Sequence, residues 1–127
     1  MNSAKPHYDL ETIRQILDGT GPDDHLFTKT KALDPVVVET GSTQEGAKIF
    51  ILDQLRRLEI QNFSRTVLIE DLIYDEYGKY INGLPWYIKI ALIQEDQDRY
   101  IFTISFHPPK QDLNTLGGVI KKYEDSA

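Results

Sequence analysis

Three side chains able to do acid–base and electrostatic chemistry, Tyr87, Lys89 and His107, fall in two strand-like runs of a 127-residue chain. The first run, Trp86-Tyr87-Ile88-Lys89-Ile90-Ala91-Leu92-Ile93, sets Tyr87 and Lys89 on one face at period two. The second, Tyr100-Ile101-Phe102-Thr103-Ile104-Ser105-Phe106-His107, stops at Pro108-Pro109, because proline has no N–H for a ladder. The polar stretch Glu95-Asp96-Gln97-Asp98-Arg99 between them suits a hairpin connection. A phenol, an ammonium and an imidazole on adjacent strands are the parts of a small acid–base site. Each also has a plainer reading: Tyr87 as a core-edge aromatic, Lys89 as a solvated residue, and His107 as the end of a strand.

Other chemistries lack their residues. His7, His25 and His107 are not at metal-ligand spacing, and the chain has no cysteine, so thiolate sites and disulfides are excluded. Gly19-Thr20-Gly21 lacks the third glycine of a phosphate loop, and no Gly-x-Ser-x-Gly elbow occurs. Glu70, Asp71, Asp75 and Glu76 cluster, and such a run reads as a solvated face rather than an acid–base pair. The net charge is −6 with a pI near 5.0. Nucleic-acid binders commonly have a pI above about 9, so any contact with RNA here must use a local patch such as Arg56, Arg57 and Arg65. The composition is that of one domain with a core of its own, and no apolar run is long enough to span a bilayer. Residues 1–7 lack the hydrophobic segment of a signal peptide, so the expected location is cytoplasmic.

The elements that must position these groups are partly legible. Leu10, Ile13, Ile16 and Leu17 repeat at helical spacing over residues 9–18, with Asp9 to cap the start and Gly19 to end it. Residues 20–24 form a turn cluster, and Leu26–Ala32 reads as a short strand or a helix entry that Asp34-Pro35 breaks. Val36-Val37-Val38 is too short to classify. Ser42-Thr43-Gln44-Glu45 is a capping-box pattern opening a helix with an apolar stripe of Ala47, Ile51, Leu52, Leu55 and Leu58. Phe63–Tyr77 predicts one or two strands, and residues 78–83 a loop leading to Pro85. The fold class is therefore α+β, with helices packed on one face of a small antiparallel sheet. The core spans about residues 5–109, and the tail, 110–127, reads as a short helix or a loose end.

Several segments, in order, resemble the MqsR family of bacterial toxins. Lys5-Pro6-His7-Tyr8-Asp9-Leu10 resembles the start of that family, and Leu55–Thr66 is similar to its helix-to-strand passage, where a basic residue follows two places after phenylalanine. Asp75 and Tyr77 fit its Trp-Gln-Asp-x-Tyr motif, and Tyr87-Ile88-Lys89-Ile90 and Ile104-Ser105-Phe106 fit its last two strands. The resemblance implies a RelE-like fold and a metal-independent ribonuclease that cleaves mRNA by attack of a 2′-hydroxyl on the adjacent phosphate. It also implies neutralisation by a partner antitoxin, with no cofactor. By position, the family's basic residue after phenylalanine is Arg65, its strand tyrosine is Tyr87, its lysine after Ile-Ser-Phe is His107, and its glutamine is Tyr74. Arginine keeps a phosphate clamp but not a proton carrier, whereas histidine can serve as acid or base. The expected catalytic set is thus Arg65, Tyr87 and His107, with Lys89 and Tyr74 contacting substrate. The competing expectation is a non-catalytic protein-interaction module, which the acidic charge suits; a small-molecule enzyme with Tyr87 and His107 in a pocket is a third.

Overall fold

The first helix forms where its apolar period and its cap coincide. In the computed structural model, which describes residues 5–19, 21 and 24–124, α1 (Leu10–Leu17) buries Leu10, Ile13, Ile16 and Leu17. Asp9 caps it by accepting from the Thr12 N–H at 3.1 Å, and Gly19 follows at φ +71°. The turn expected over 20–24 falls largely outside the described residues, as do residues 1–4.

After β1 (Leu26–Thr28) the chain enters α2 (Thr30–Thr40), which runs straight through Pro35 and absorbs Val36–Val38. The expected break at Asp34-Pro35 does not occur. Pro35 deprives the Lys31 carbonyl of one helical donor, and the burial of Ala32, Leu33 and Val36 on the helix's inner side offsets that loss. The next helix, α3 (Gln44–Arg56), starts one residue later than the capping-box pattern indicates: Thr43, not Ser42, accepts from the Gly46 N–H at 3.1 Å. The Ser42 hydroxyl pairs instead with Thr40 Oγ1 at 2.7 Å. All five residues of the expected apolar stripe are buried.

Four long strands follow: β2 (Phe63–Ile69), β3 (Leu72–Ile81), β4 (Leu84–Glu95) and β5 (Asp98–His107). They are joined by two-residue turns at Glu70-Asp71, Asn82-Gly83 and Asp96-Gln97. The stretch expected as a loop, 78–83, is strand up to Ile81. Only Asn82 (φ 52°) and Gly83 (φ 84°) turn, as an Asn-Gly pair favours in a tight hairpin. The sheet order is β1-β5-β4-β3-β2. The antiparallel expectation needs correction, because β1 pairs parallel with β5 (Leu26 with Ile101, Thr28 with Thr103) and makes the sheet mixed. A run of three residues carries too little pattern to reveal its partner.

The helices cover one face of this sheet. Trp86, Ile88 and Ile90 of β4, with Tyr77, Phe63, Ile101 and Phe106 from neighbouring strands, meet Leu17, Ile51, Leu55 and Leu58 in one apolar cluster. Phe50, Trp86 and Phe106 add ring contacts at 5.2–6.1 Å. Within the tail, where a short helix or a loose end was expected, β6 (Leu113–Thr115) and β7 (Gly118–Ile120) form a hairpin on the opposite face. It is seated over Gly78, where any Cβ would lie 2.8 Å from Leu113 Cδ1 and 3.2 Å from Ile120 Cγ1. The Leu116 and Gly117 N–H groups donate to the Phe63 and Gln61 carbonyls at 2.9 and 2.8 Å. No helix among the described residues is long and apolar enough to cross a membrane.

Candidate active site

Strand alternation and two bulges decide which side chains share the face away from the helices. On β3, β4 and the end of β5, the pairs Glu76–Lys89, Gly78–Tyr87, Lys89–Ser105 and Tyr87–His107 lie on that face. Period two from Phe102 would send His107 to the helix side. The extra residue Ile104, where Lys89 pairs Ser105 but Ile90 pairs Thr103, reverses that phase. Ser64 does the same on β2: Phe63 pairs Tyr77 toward the core, and Arg65 pairs Glu76 toward the open face. The two bulges therefore bring Arg65 and His107 to the face that already holds Tyr87 and Lys89.

Glu76, not one of the expected site residues, lies at the centre. Its side chain is only 6% exposed. Arg65 Nε donates to Oε1 at 2.6 Å, the Tyr87 hydroxyl donates to Oε2 in a short hydrogen bond, and Lys89 Nζ stands 3.9 Å from Oε2. A carboxylate offers about four lone-pair positions, so these two hydrogen bonds leave acceptor capacity. The hydrogen bond and charge of Glu76 raise the Arg65 pKa above the ordinary arginine value, keeping the guanidinium charged. Burial, then the hydrogen bond and charge of Glu76, push the Tyr87 pKa well above the usual tyrosine value. Tyr87 is thus a fixed donor to Glu76 and not a base.

His107 lies beside this carboxylate group, its ring 5.1 Å from that of Tyr87. Its Nδ1 is 2.7 Å from the Pro108 carbonyl oxygen. A carbonyl only accepts, so Nδ1 is the donor in this contact, and Nε2 takes no part in it. Arg65, Glu76, Tyr87 and His107 line a cleft of about 430 Å³, closed on one side by Ser64 and by residues 109–114 ahead of and within β6. The tail thus builds one wall of the cleft.

Of the five residues expected at a site, Arg65, Tyr87 and His107 line this cleft, and Lys89 stands behind Glu76. Tyr74 is on the same face but 5% exposed, with the Lys89 ammonium 5.9 Å from its ring. Its ring lies beside the lysine, and it is not among the residues that line the cleft. The acidic run also divides: Glu70 and Asp71 occupy an exposed turn, while Asp75 and Glu76 are buried on opposite faces. Asp75 accepts from the His7 and Tyr8 N–H groups at 3.0 and 2.8 Å and from Thr66 Oγ1 at 2.6 Å, tying down the N-terminal segment. The signal for Glu76 was its setting: an acid within an aromatic strand cannot stay buried without partners. Among the described residues, no three His, Asp or Glu side chains group as a metal site. Comparison with protein-family models finds no match, and neither does comparison with curated proteins.

Proposed function

We propose that this protein is a metal-independent endoribonuclease. The observation that carries the reading is the convergence, in one cleft, of a buried carboxylate, an exposed guanidinium and a histidine with an oriented ring. Glu76 takes the proton of the ribose 2′-hydroxyl, and the 2′-oxygen attacks the adjacent phosphorus. Arg65, 71% exposed beyond its bond to Glu76, stabilises the charge on the phosphoryl oxygens, as an arginine fork does well. The P–O5′ bond breaks, and protonated His107 delivers the Nε2 proton to the leaving oxygen. The products are a 2′,3′-cyclic phosphate and a 5′-hydroxyl, so atoms and charge balance without a co-reactant. Tyr87 and Lys89 hold Glu76 in place, and each positioned proton transfer is worth about 10²–10⁴-fold in rate.

A RelE-like toxin, cytoplasmic and held in check by an antitoxin, is the biological form of this reading; the helices on one sheet face and the cleft on the other support it. The test is cleavage of labelled single-stranded RNA by the purified protein in the presence of EDTA, alongside growth on tightly induced expression. Cyclic-phosphate ends and growth arrest, both lost in His107→Ala, are expected; intact RNA, or full activity in that variant, refutes the assignment. One observation favours the second reading, a protein-binding module: edge strand β2 carries Leu68 at 69% and Ile69 at 39% exposure, which suits addition of a partner's strand.

A further inference from the structure

The open sheet face continues past the cleft toward the opposite edge, and Lys89 links Tyr87 to a run of aromatic side chains on it. Lys89 Nζ lies 5.8 Å from the Tyr87 ring and 5.9 Å from that of Tyr74. Tyr74 lies 6.5 Å from Phe102, and Phe102 lies 5.6 Å from Phe27, its partner across β1 and β5. Lys29 Nζ stands 5.9 Å over the Phe102 ring. Phe27 is 58% exposed and takes no part in the core cluster. Between the two ends only Ala91 pairs with Phe102 on β4, so the face is low there.

We propose that this face is a stacking track for single-stranded RNA, with Phe102 and Phe27 each carrying a base. The proposal rests on the ribonuclease reading of the cleft and specifies how the substrate leading into it is held. Flat rings flanked by ammonium groups match nucleobases flanked by phosphates, the combination that binds single strands. The ring step of 5.6 Å between Phe102 and Phe27 exceeds the rise of about 3.4 Å per nucleotide in a duplex strand. Bases carried on these two rings are therefore spaced more widely than in a duplex strand, which suits a single strand. Phe27 also borders the next hollow, where Asp24, Glu95 and Asp98 stand with His25 and Arg99. Lys29 and Lys89 set ammonium groups along the row in a chain of net charge −6, the second of them shared with Glu76.

The test uses a fluorescent, fully 2′-O-methylated single-stranded oligonucleotide, which lacks the nucleophile and cannot be cut, with RNA cleavage measured separately. One lost base stack is worth about 1–3 kcal/mol, so Phe27→Ala weakens binding by about 5- to 150-fold. Phe27→Leu weakens it comparably, and Phe27→Trp retains it. Phe27 is exposed, so these variants keep the fold, and circular dichroism verifies that. Unchanged affinity in Phe27→Ala overturns the track even if the wild type cleaves RNA. Full affinity in Phe27→Leu also overturns it, because apolar contact without stacking is what a protein partner needs. Phe27-dependent binding by a wild type that cleaves nothing supports the track and removes the catalytic reading.

Discussion

Glu76→Gln separates catalysis from support at the centre of the cleft. The amide keeps the size of the side chain and one acceptor for Tyr87, but it loses the charge and a second acceptor. Lys89 is 17% exposed and stands 3.9 Å from the carboxylate. At an effective dielectric of about 20 this attraction is about 4 kcal/mol, and the desolvation of both ions offsets most of it. The pair with Arg65 adds at most about 1 kcal/mol, because that guanidinium is largely in water. The net destabilisation is therefore about 1–3 kcal/mol, within the margin of a domain stable by about 5–15 kcal/mol. Loss of the base lowers RNA cleavage by about 10²–10⁴-fold. Urea unfolding and single-turnover cleavage on the same preparation measure the two effects independently. A variant that loses the expected stability yet cleaves at the wild-type rate would show that Glu76 only holds Arg65 and Lys89, and that the base is another group.

Tyr87 makes a pH prediction. Its folded pKa lies above the unfolded value, so its contribution is complete below about pH 10 and declines as pH rises beyond that. Tyr87→Phe should therefore remove about one proton, or about 1.4 kcal/mol per pH unit, from the slope of stability against pH above about 10; urea titrations across that range measure it, and an unchanged slope counts against a protonated Tyr87. Asp75→Asn puts an amide N–H₂ against one of three donors and should cost about 1–3 kcal/mol. Hydrogen exchange at the His7 and Tyr8 amides should quicken while cleavage persists, since Asp75 faces away from the cleft; loss of cleavage at retained stability would contradict the division between the two faces. Gly78→Val drives a side chain into Leu113 and Ile120 and should lift the β6–β7 hairpin, raising exchange over 113–120 and weakening RNA binding; continued protection there would mean the hairpin is held by its contacts to residues 61–64 alone.

Local pattern was enough for much of the fold. The helical period of α1 and its Asp9 cap, the stripe of α3, the stop at Pro108-Pro109 and the polar turn after β4 are all carried by residues close in the chain. Where a local rule misled, a non-local contact prevailed. Burial of Ala32, Leu33 and Val36 carried α2 through Pro35, and the pairing of β1 with β5 made the sheet mixed. The hairpin at 113–120 takes its place from packing on the face that Gly78 leaves bare and from hydrogen bonds to residues 61–64, contacts far away in the chain.

The candidate site divides along the same line. Residue types and spacing alone singled out Tyr87, Lys89 and His107, and resemblance added Arg65. What sequence periodicity could not carry is phase. Ser64 and Ile104 are ordinary residues whose status as bulges depends on the strands they face, and each turns a neighbouring side chain to the opposite side. Without the first, Arg65 would point with Phe63 into the core; without the second, His107 would point at the helices. Register likewise decided that Glu76, one acid in an acidic run, sits between Arg65 and Lys89 while its neighbour Asp75 anchors the N-terminus. The sequence by itself determined which chemical groups exist and that they lie on strands. Tertiary pairing decided which of them meet, because side-chain direction in a strand inverts with every residue of slip.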